Sequence, residues 1–226
     1  MKYSEIKLRV IDLLGYPVDE CVRLGYTNKI PRAANEALFR VAHSVLPNLR
    51  EYTIRLTKDV LPARVTMPPD FISFADEQNA YLNGHNFILT NFVGTSGINL
   101  TGNEVSLPRH SKQDYLEYTF FYNATYPKII DDGKNFEVYT FKTGNNIEVN
   151  QDNYVKEIWS TEGNNTYDIA EIAGNIIPHY IVGQILSLDD KVRSIAEYNE
   201  FEVLLSSIDV HRNERQREYH SVRGWY

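Results

Sequence analysis

The sequence predicts an α+β fold. N- and C-terminal helix pairs form a four-helix bundle, an antiparallel β domain is inserted between them, and an extended C-terminal arm follows. Three observations lead there. Apolar residues recur with the helical period near both ends and with period 2 in the middle. Asn- and Gly-containing turn signals fall between the alternating stretches of that middle region. Beyond Ile208 the apolar period stops. The implied division is 1–48 and 166–208 for the two halves of the helical domain, 49–165 for the β insert, and 209–226 for a flexible docking arm.

The first helix is expected over 4–14. Ile6, Val10, Leu13 and Leu14 lie on one stripe, Ser4 is placed to cap it, and Gly15 before Pro17 stops it. A short link through Cys21 and Gly25 leads to a second helix over 30–46. Its cap is Thr27 or Asn28, Pro31 lies in the first turn, and Pro47 ends it. Its buried face is Ile30, Ala34, Ala37, Leu38, Val41, Ala42 and Val45.

Strand alternation then begins at Tyr52, Ile54 and Leu56. Leu82-Asn83-Gly84-His85 between Ala80-Tyr81 and Phe87-Ile88-Leu89 signals a hairpin, because Asn-Gly accepts positive φ. Thr101-Gly102-Asn103 marks another turn, and Leu116, Tyr118, Phe120 and Tyr122 alternate as a long strand. Residues 136–141, Gly144-Asn145-Asn146 and then Ile147-Glu148-Val149 predict a further hairpin.

Helical spacing returns with Ile169, Ile172, Ala173, Ile176 and Ile177 behind an Asp168/Glu171 capping pair. Pro178 is expected to break this into 168–176 and a main helix over 178–188, buried through Ile181, Ile185 and Leu188. Asp189-Asp190 then caps a last helix with Val192, Ile195, Ala196, Phe201, Leu204, Leu205 and Ile208 as its apolar set.

Composition narrows the function classes. A net charge of −7 argues against tight binding to a nucleic-acid backbone, though not against a surface that DNA slides past. The single cysteine permits no internal disulfide and no multi-cysteine metal site. No run approaches the roughly 18 apolar residues of a membrane span, and the N-terminus lacks the apolar stretch of a secretory signal. No membrane partner is expected.

Catalytic patterns are weak throughout. Phosphate-loop and dinucleotide glycine patterns are missing, and Gly94-Thr95-Ser96-Gly97 lacks the spacing of a nucleophile elbow. His43, His85, His110, His179, His211 and His220 form no metal-binding pair in sequence. Cys21 has only Arg23 as a basic neighbour and suits a half-buried structural thiol. The pairs Asp76-Glu77, Asp131-Asp132 and Asp189-Asp190 are sequence neighbours in turns, whose side chains diverge instead of facing each other. No catalytic residue, metal or cofactor is expected. The arm differs: Arg212, Arg215, Arg217, Tyr219, Trp225 and Tyr226 are the residue types that dominate interface hot spots, so they are the expected partner-docking residues.

Several strings resemble the head–tail adaptor (connector, or head-completion) proteins of tailed bacteriophages. They are Asn35-Glu36-Ala37-Leu38-Phe39-Arg40-Val41-Ala42, Met67-Pro68-Pro69-Asp70-Phe71, and the strand over 118–122 followed by Pro127. The most specific runs Ile176-Ile177-Pro178-His179-Tyr180-Ile181, then Leu186 and Asp189-Asp190, then Glu197-Tyr198-Asn199-Glu200-Phe201-Glu202. The strings span about three quarters of the chain, while 131–165 departs from the shorter members. None is a catalytic signature.

The resemblance implies a non-enzymatic structural subunit of a twelvefold homo-oligomeric ring at the virion neck, assembled in the bacterial cytoplasm. It would bind the portal protein on one side and a tail or second adaptor ring protein on the other, with double-stranded DNA passing transiently through the lumen. Twelve copies at −7 each carry about −84, and an acidic wall would keep DNA from sticking. Two alternatives are another tail or neck component, which the helix pairs disfavour, and a small lytic hydrolase built from scattered residues.

Overall fold

A computed structural model describes residues 1–44, 46–57, 64–75, 80–82, 85–87, 89–90, 98–101, 104–106, 115–141, 153–162 and 167–222. The fold is α+β. Helices α1 (Tyr3–Leu14), α2 (Val18–Arg23) and α3 (Tyr26–Ser44) come first. Strands β1 (Asn48–Thr57), β2 (Arg64–Thr66), β3 (Phe71–Phe74), β4 (Ala80–Leu82), β5 (His85–Phe87) and β6 (Leu89–Thr90) follow. Then come β7 (Ile98–Thr101), β8 (Glu104–Ser106), β9 (Tyr115–Ala124), β10 (Lys128–Ile130), β11 (Asn135–Phe141) and β12 (Tyr154–Ser160). Helices α4 (Glu171–Leu186) and α5 (Lys191–Val222) end the described chain. Two compact units result: Met1–Leu46 with Lys128–Phe136 and Trp159–Tyr226, and Pro47–Pro127 with Glu137–Ile158.

In the helical unit, α1 buries Tyr3, Ile6, Val10 and Leu14. Its cap is not Ser4, which lies inside the first turn; the Lys2 amide donates to the Glu5 carboxylate at 2.8 Å instead. Gly15 closes it at φ 72°, the left-handed conformation a residue without a Cβ adopts at low cost. The link expected around Cys21 contains α2, too short for its periodicity to be read from sequence. Helix α3 begins at Tyr26, so Thr27 and Asn28 are helical and Pro31 is an interior residue. Burial of Tyr26 and Ile30 holds these first turns despite the amide hydrogen that Pro31 lacks.

Helix α4 is one helix, not two. Pro178 is buried within it, and the residues on all sides of it (Ala173, Ile176, Ile177, Ile181, Val182, Ile185 and Leu186) are buried too. A helix apolar all round occupies a core, and α1, α3 and α5 pack against this one. Each buried Ile or Leu contributes about 1.5–3 kcal/mol, and together they outweigh the ~3 kcal/mol that an interior proline costs. Asp168 does not cap α4; Ala170 holds that position with no side-chain bond. Asp190 does cap α5, accepting from the Arg193 amide at 3.1 Å.

Residues 128–136 and 159–162, read from sequence as part of the β insert, group with the helices. The Asn35 side chain donates to the Ile129 carbonyl at 2.8 Å and accepts from its amide at 2.7 Å. Gly133, at φ 89°, packs so closely on Tyr3 that a Cβ there would meet the ring at 3.0 Å. Thr161 donates its hydroxyl to the Gly133 carbonyl at 2.9 Å.

The β unit is built on one long antiparallel pair, β1 with β9, in register from Asn48↔Ala124 to Thr57↔Tyr115. Strand order is β1-β9-β4-β5, with β3 also on β9. The predicted Asn83-Gly84 hairpin is present as the β4–β5 pair, Leu82 opposite His85. Strands β7 and β8 likewise pair, with Thr101 opposite Glu104. A second sheet runs β2-β8-β7-β6, antiparallel except for the short β6–β7 pairing. A further sheet runs β10-β11-β12, with β10 and the start of β11 counted in the helical unit. The hairpin expected at 144–149 lies outside the described residues.

Candidate functional site

Three of the strings singled out in the sequence meet at one seam of the helical unit. From α4 come His179, Tyr180, Gly183 and Gln184, from α5 Ser194, Glu197, Tyr198, Phe201 and Glu202, and from α3 Glu36 and Arg40. Gly183 lets α5 come close, since a Cβ there would stand 3.1 Å from Cγ of Tyr198. Ser194 fastens the approach by donating its hydroxyl to the Gly183 carbonyl at 2.7 Å. Tyr180 meets Tyr198 edge-on at 5.4 Å and Phe201 at 5.1 Å between centroids, favoured geometries for aromatic pairs. The Arg40 guanidinium lies 5.3 Å from the centre of the Tyr180 ring and donates to Glu202 at 3.1 Å. Tyr198 donates to Gln184, and Gln184 in turn donates to Glu36 at 3.3 Å.

The seam's titratable pair is arranged for packing. His179 donates from Nδ1 to the Glu197 carboxylate at 2.8 Å, fastening α4 to α5. Ser194 directs its hydroxyl proton to a backbone carbonyl and not to an imidazole. Burial, with Glu20 beside it, pushes the Cys21 thiol up, which disfavours the thiolate a nucleophile needs. Cys21 is buried and its sulfur faces the Tyr16 carbonyl at 3.8 Å. Among the described residues no group of three or more His, Cys, Asp or Glu could hold a metal ion. No helix among them is long and apolar enough to cross a membrane.

The Met-Pro-Pro-Asp-Phe string has its own role in the β unit. Asp70 accepts from Arg50 at 2.6 Å, with the two side chains 7% and 20% exposed. Burial raises the Asp70 carboxyl above its ordinary range, and Arg50 pulls the other way. Around the pair Phe141 stacks on Tyr52 at 3.7 Å, meets Tyr122 edge-on at 5.9 Å, and lies 5.9 Å from the Arg50 guanidinium. Arg50 is the residue sequence reading missed. It is separated from Asp70 by 20 positions, and only the register of β1 and β3 on β9 brings the two together.

The outer surface of the helical unit departs most from expectation. Leu188, read as buried, is 85% exposed; Val192 and Ile195, read in the apolar set of the last helix, are 83% and 61% exposed, and Val203 is 63% exposed. Ile172 and Ala196 are exposed as well. The buried side of α5 is Ser194, Phe201 and Leu205, about half a turn away. Apolar residues therefore occupy two faces of α5, and the sequence stripe merged them. On α3 Phe39 is also exposed, its ring tilted against that of His43 with centroids 3.9 Å apart.

The predicted docking arm needs correction in its backbone. Helix α5 does not stop at Ile208 but continues through Val222, so Arg212, Arg215, Arg217 and Tyr219 ride on a helix instead of an extended arm. Thirty-two residues in one helix place its far end about 48 Å from its start. Trp225 and Tyr226 lie outside the described residues.

The chain matches no protein-family model and no curated protein.

Proposed function

We propose that this chain is a structural ring subunit at the head-to-tail junction of a tailed bacteriophage, bridging the portal to the tail and lining the channel through which DNA leaves. The observation that carries the reading is the seam. The Asn35-Glu36 to Val41-Ala42, Ile176 to Ile181 and Glu197 to Glu202 strings carry the resemblance, and their side chains contact one another in a shared aromatic and ion-pair network. Residues that must fit each other to build one scaffold would recur together in a family whose role is mechanical. The insertion of a β unit between helical halves, and the finer view of α1, α3, α4 and α5 as a four-helix bundle, belong to the same reading. So do a homo-oligomeric ring and a C-terminal segment that docks on a neighbouring ring.

The test is recruitment. Purified chain mixed with the cognate portal protein should form a ring on the portal visible by negative-stain imaging, and a chain ending at Ile208 should keep its thermal unfolding transition while losing most of that recruitment. A portal left bare by the full-length chain, or turnover of peptidoglycan or nucleotides by it, refutes the reading.

A further inference from the structure

We propose that the β unit binds one water molecule as a fixed part of its core, held between Oδ1 of Asp70 and the hydroxyl of Tyr122. The ligand class is a small neutral molecule that both donates and accepts, and the inference does not rest on the ring-subunit reading.

Three strands bring these two oxygens into one cluster. Tyr122 on β9 lies directly opposite Arg50 on β1, and opposed side chains share one face of a sheet with Cβ atoms about 4.5–5.5 Å apart. Strand β3 also pairs with β9, Phe74 opposite Tyr122, and the Asp70 carbonyl just before β3 accepts from the Thr125 amide at 2.7 Å. Arg50 then donates to Oδ2 of Asp70 at 2.6 Å. The rings of Phe71 and Phe141 flank Tyr122 at 5.7 and 5.9 Å between centroids, and Tyr122 is fully buried. Inside this enclosure Oδ1 of Asp70 and the Tyr122 hydroxyl are buried oxygens without a hydrogen-bond partner among the described residues. The Asp70 amide favours its own carboxylate without bonding to Oδ1.

The chemistry of the two oxygens selects the occupant. A carboxylate oxygen only accepts, whereas a phenol hydroxyl can donate, yet the two do not bond to each other here. Burial raises the Tyr122 hydroxyl, Asp70 adds to the rise and Arg50 opposes it, so both members of the ion pair act on it. One water donates to Oδ1 and accepts from the hydroxyl, and buried waters settle where about 2–4 such partners converge. Left dry, both oxygens would lose the partners that solvent gives them in the unfolded chain, a penalty native interiors rarely carry. An ion fits worse, because Arg50 and Asp70 already cancel and any added charge would be buried unpaired. Arg50, 20% exposed, marks the side from which water reaches the cluster. Tyr3 in the helical unit supplies the contrast. Its buried hydroxyl also has no partner, but burial alone raises it and no charged group acts on it, so nothing beside it completes a site.

Tyr122→Phe in the full chain removes the hydroxyl and keeps the ring. Magnetic relaxation dispersion of solvent water, which counts long-lived internal waters, should show one fewer in the variant than in the unaltered chain. Amide hydrogen exchange of β1 and β9 peptides should become about fivefold faster, as the loss of one ordinary hydrogen bond implies. An unchanged water count overturns the proposal whichever way exchange moves. Slower exchange would then mark a dry hydroxyl whose removal relieves the core, and faster exchange would mark a direct bond from Tyr122 to Asp70. A crystal structure of the unaltered chain reads the same point without a variant. Density for one water within about 3.2 Å of both oxygens is expected. Finding none there, or the two oxygens in direct contact, refutes the assignment.

Discussion

Replacing Arg50 with methionine removes the cation from a carboxyl that is only 7% exposed while keeping an unbranched side chain beside Phe141. Breaking a buried pair by deleting one partner costs about 3–5 kcal/mol, because the remaining charge stays desolvated. Arg50 itself is 20% exposed, so water reaches the gap and the lower end, about 3 kcal/mol near neutral pH, is expected. The cost should depend on pH in a definite direction. Burial already raises Asp70 above its ordinary 3.8, with Arg50 opposing; without Arg50 the carboxyl rises further. A folded-state carboxyl raised above its unfolded value contributes stability that is present at low pH and lost as pH rises through the folded value. The deficit of R50M should therefore be largest near neutrality and shrink on acidification toward 3.8. Hydrogen exchange of peptides from β1 and β9, corrected for intrinsic rates at each pH, reads this unit separately from the helices. Asp70→Asn removes the charge that burial disfavours and keeps the shape, so it should cost less than Arg50→Met at neutral pH, about 1 kcal/mol. A deficit for R50M that is constant with pH or grows on acidification would refute the reasoning, as would D70N costing as much.

Three further outcomes follow from the helical unit. Phe201→Ala empties a site that is 0% exposed and loses the Tyr180 contact, so it should cost about 3–5 kcal/mol, read as a fall in the thermal midpoint. Gly133→Ala places a Cβ on a residue at φ 89° and 3.0 Å from the Tyr3 ring; a loss of about 1–3 kcal/mol in denaturant titration is expected, and an unchanged midpoint would mean the turn relaxes freely. The Cys21 thiol, buried and pushed up, should react with a thiol reagent at a rate that tracks unfolding, whereas rapid labelling of the native chain would contradict its packing.

How much of this was legible in the sequence depended on how local the controlling physics is. Gly15 as a left-handed helix stop, Asp190 as the cap of α5, and the antiparallel pairing of β4 with β5 are set by a few neighbouring residues, and all three were read in the sequence. The change of apolar period from helix to strand and back likewise fixed the class of fold, because burying one face of each element demands it. Pro178 failed as a helix breaker for the opposite reason. Its cost, a lost bond and a crowded preceding turn, is exceeded by the burial of most of α4 against α1, α3 and α5. The Arg50–Asp70 pair and the fastening of 128–136 to the helices through Asn35 depend on strand register and on contacts 94 residues apart, about which local pattern carries no information. Most telling is α5. The sequence determined that Val192, Ile195, Phe201 and Leu205 share a helix, but an apolar residue at helical spacing is silent about which of two faces meets the core. Only the packing of Ser194 and Phe201 on Gly183 and Tyr180 decided that, and in doing so turned Leu188, Val192 and Ile195 outward.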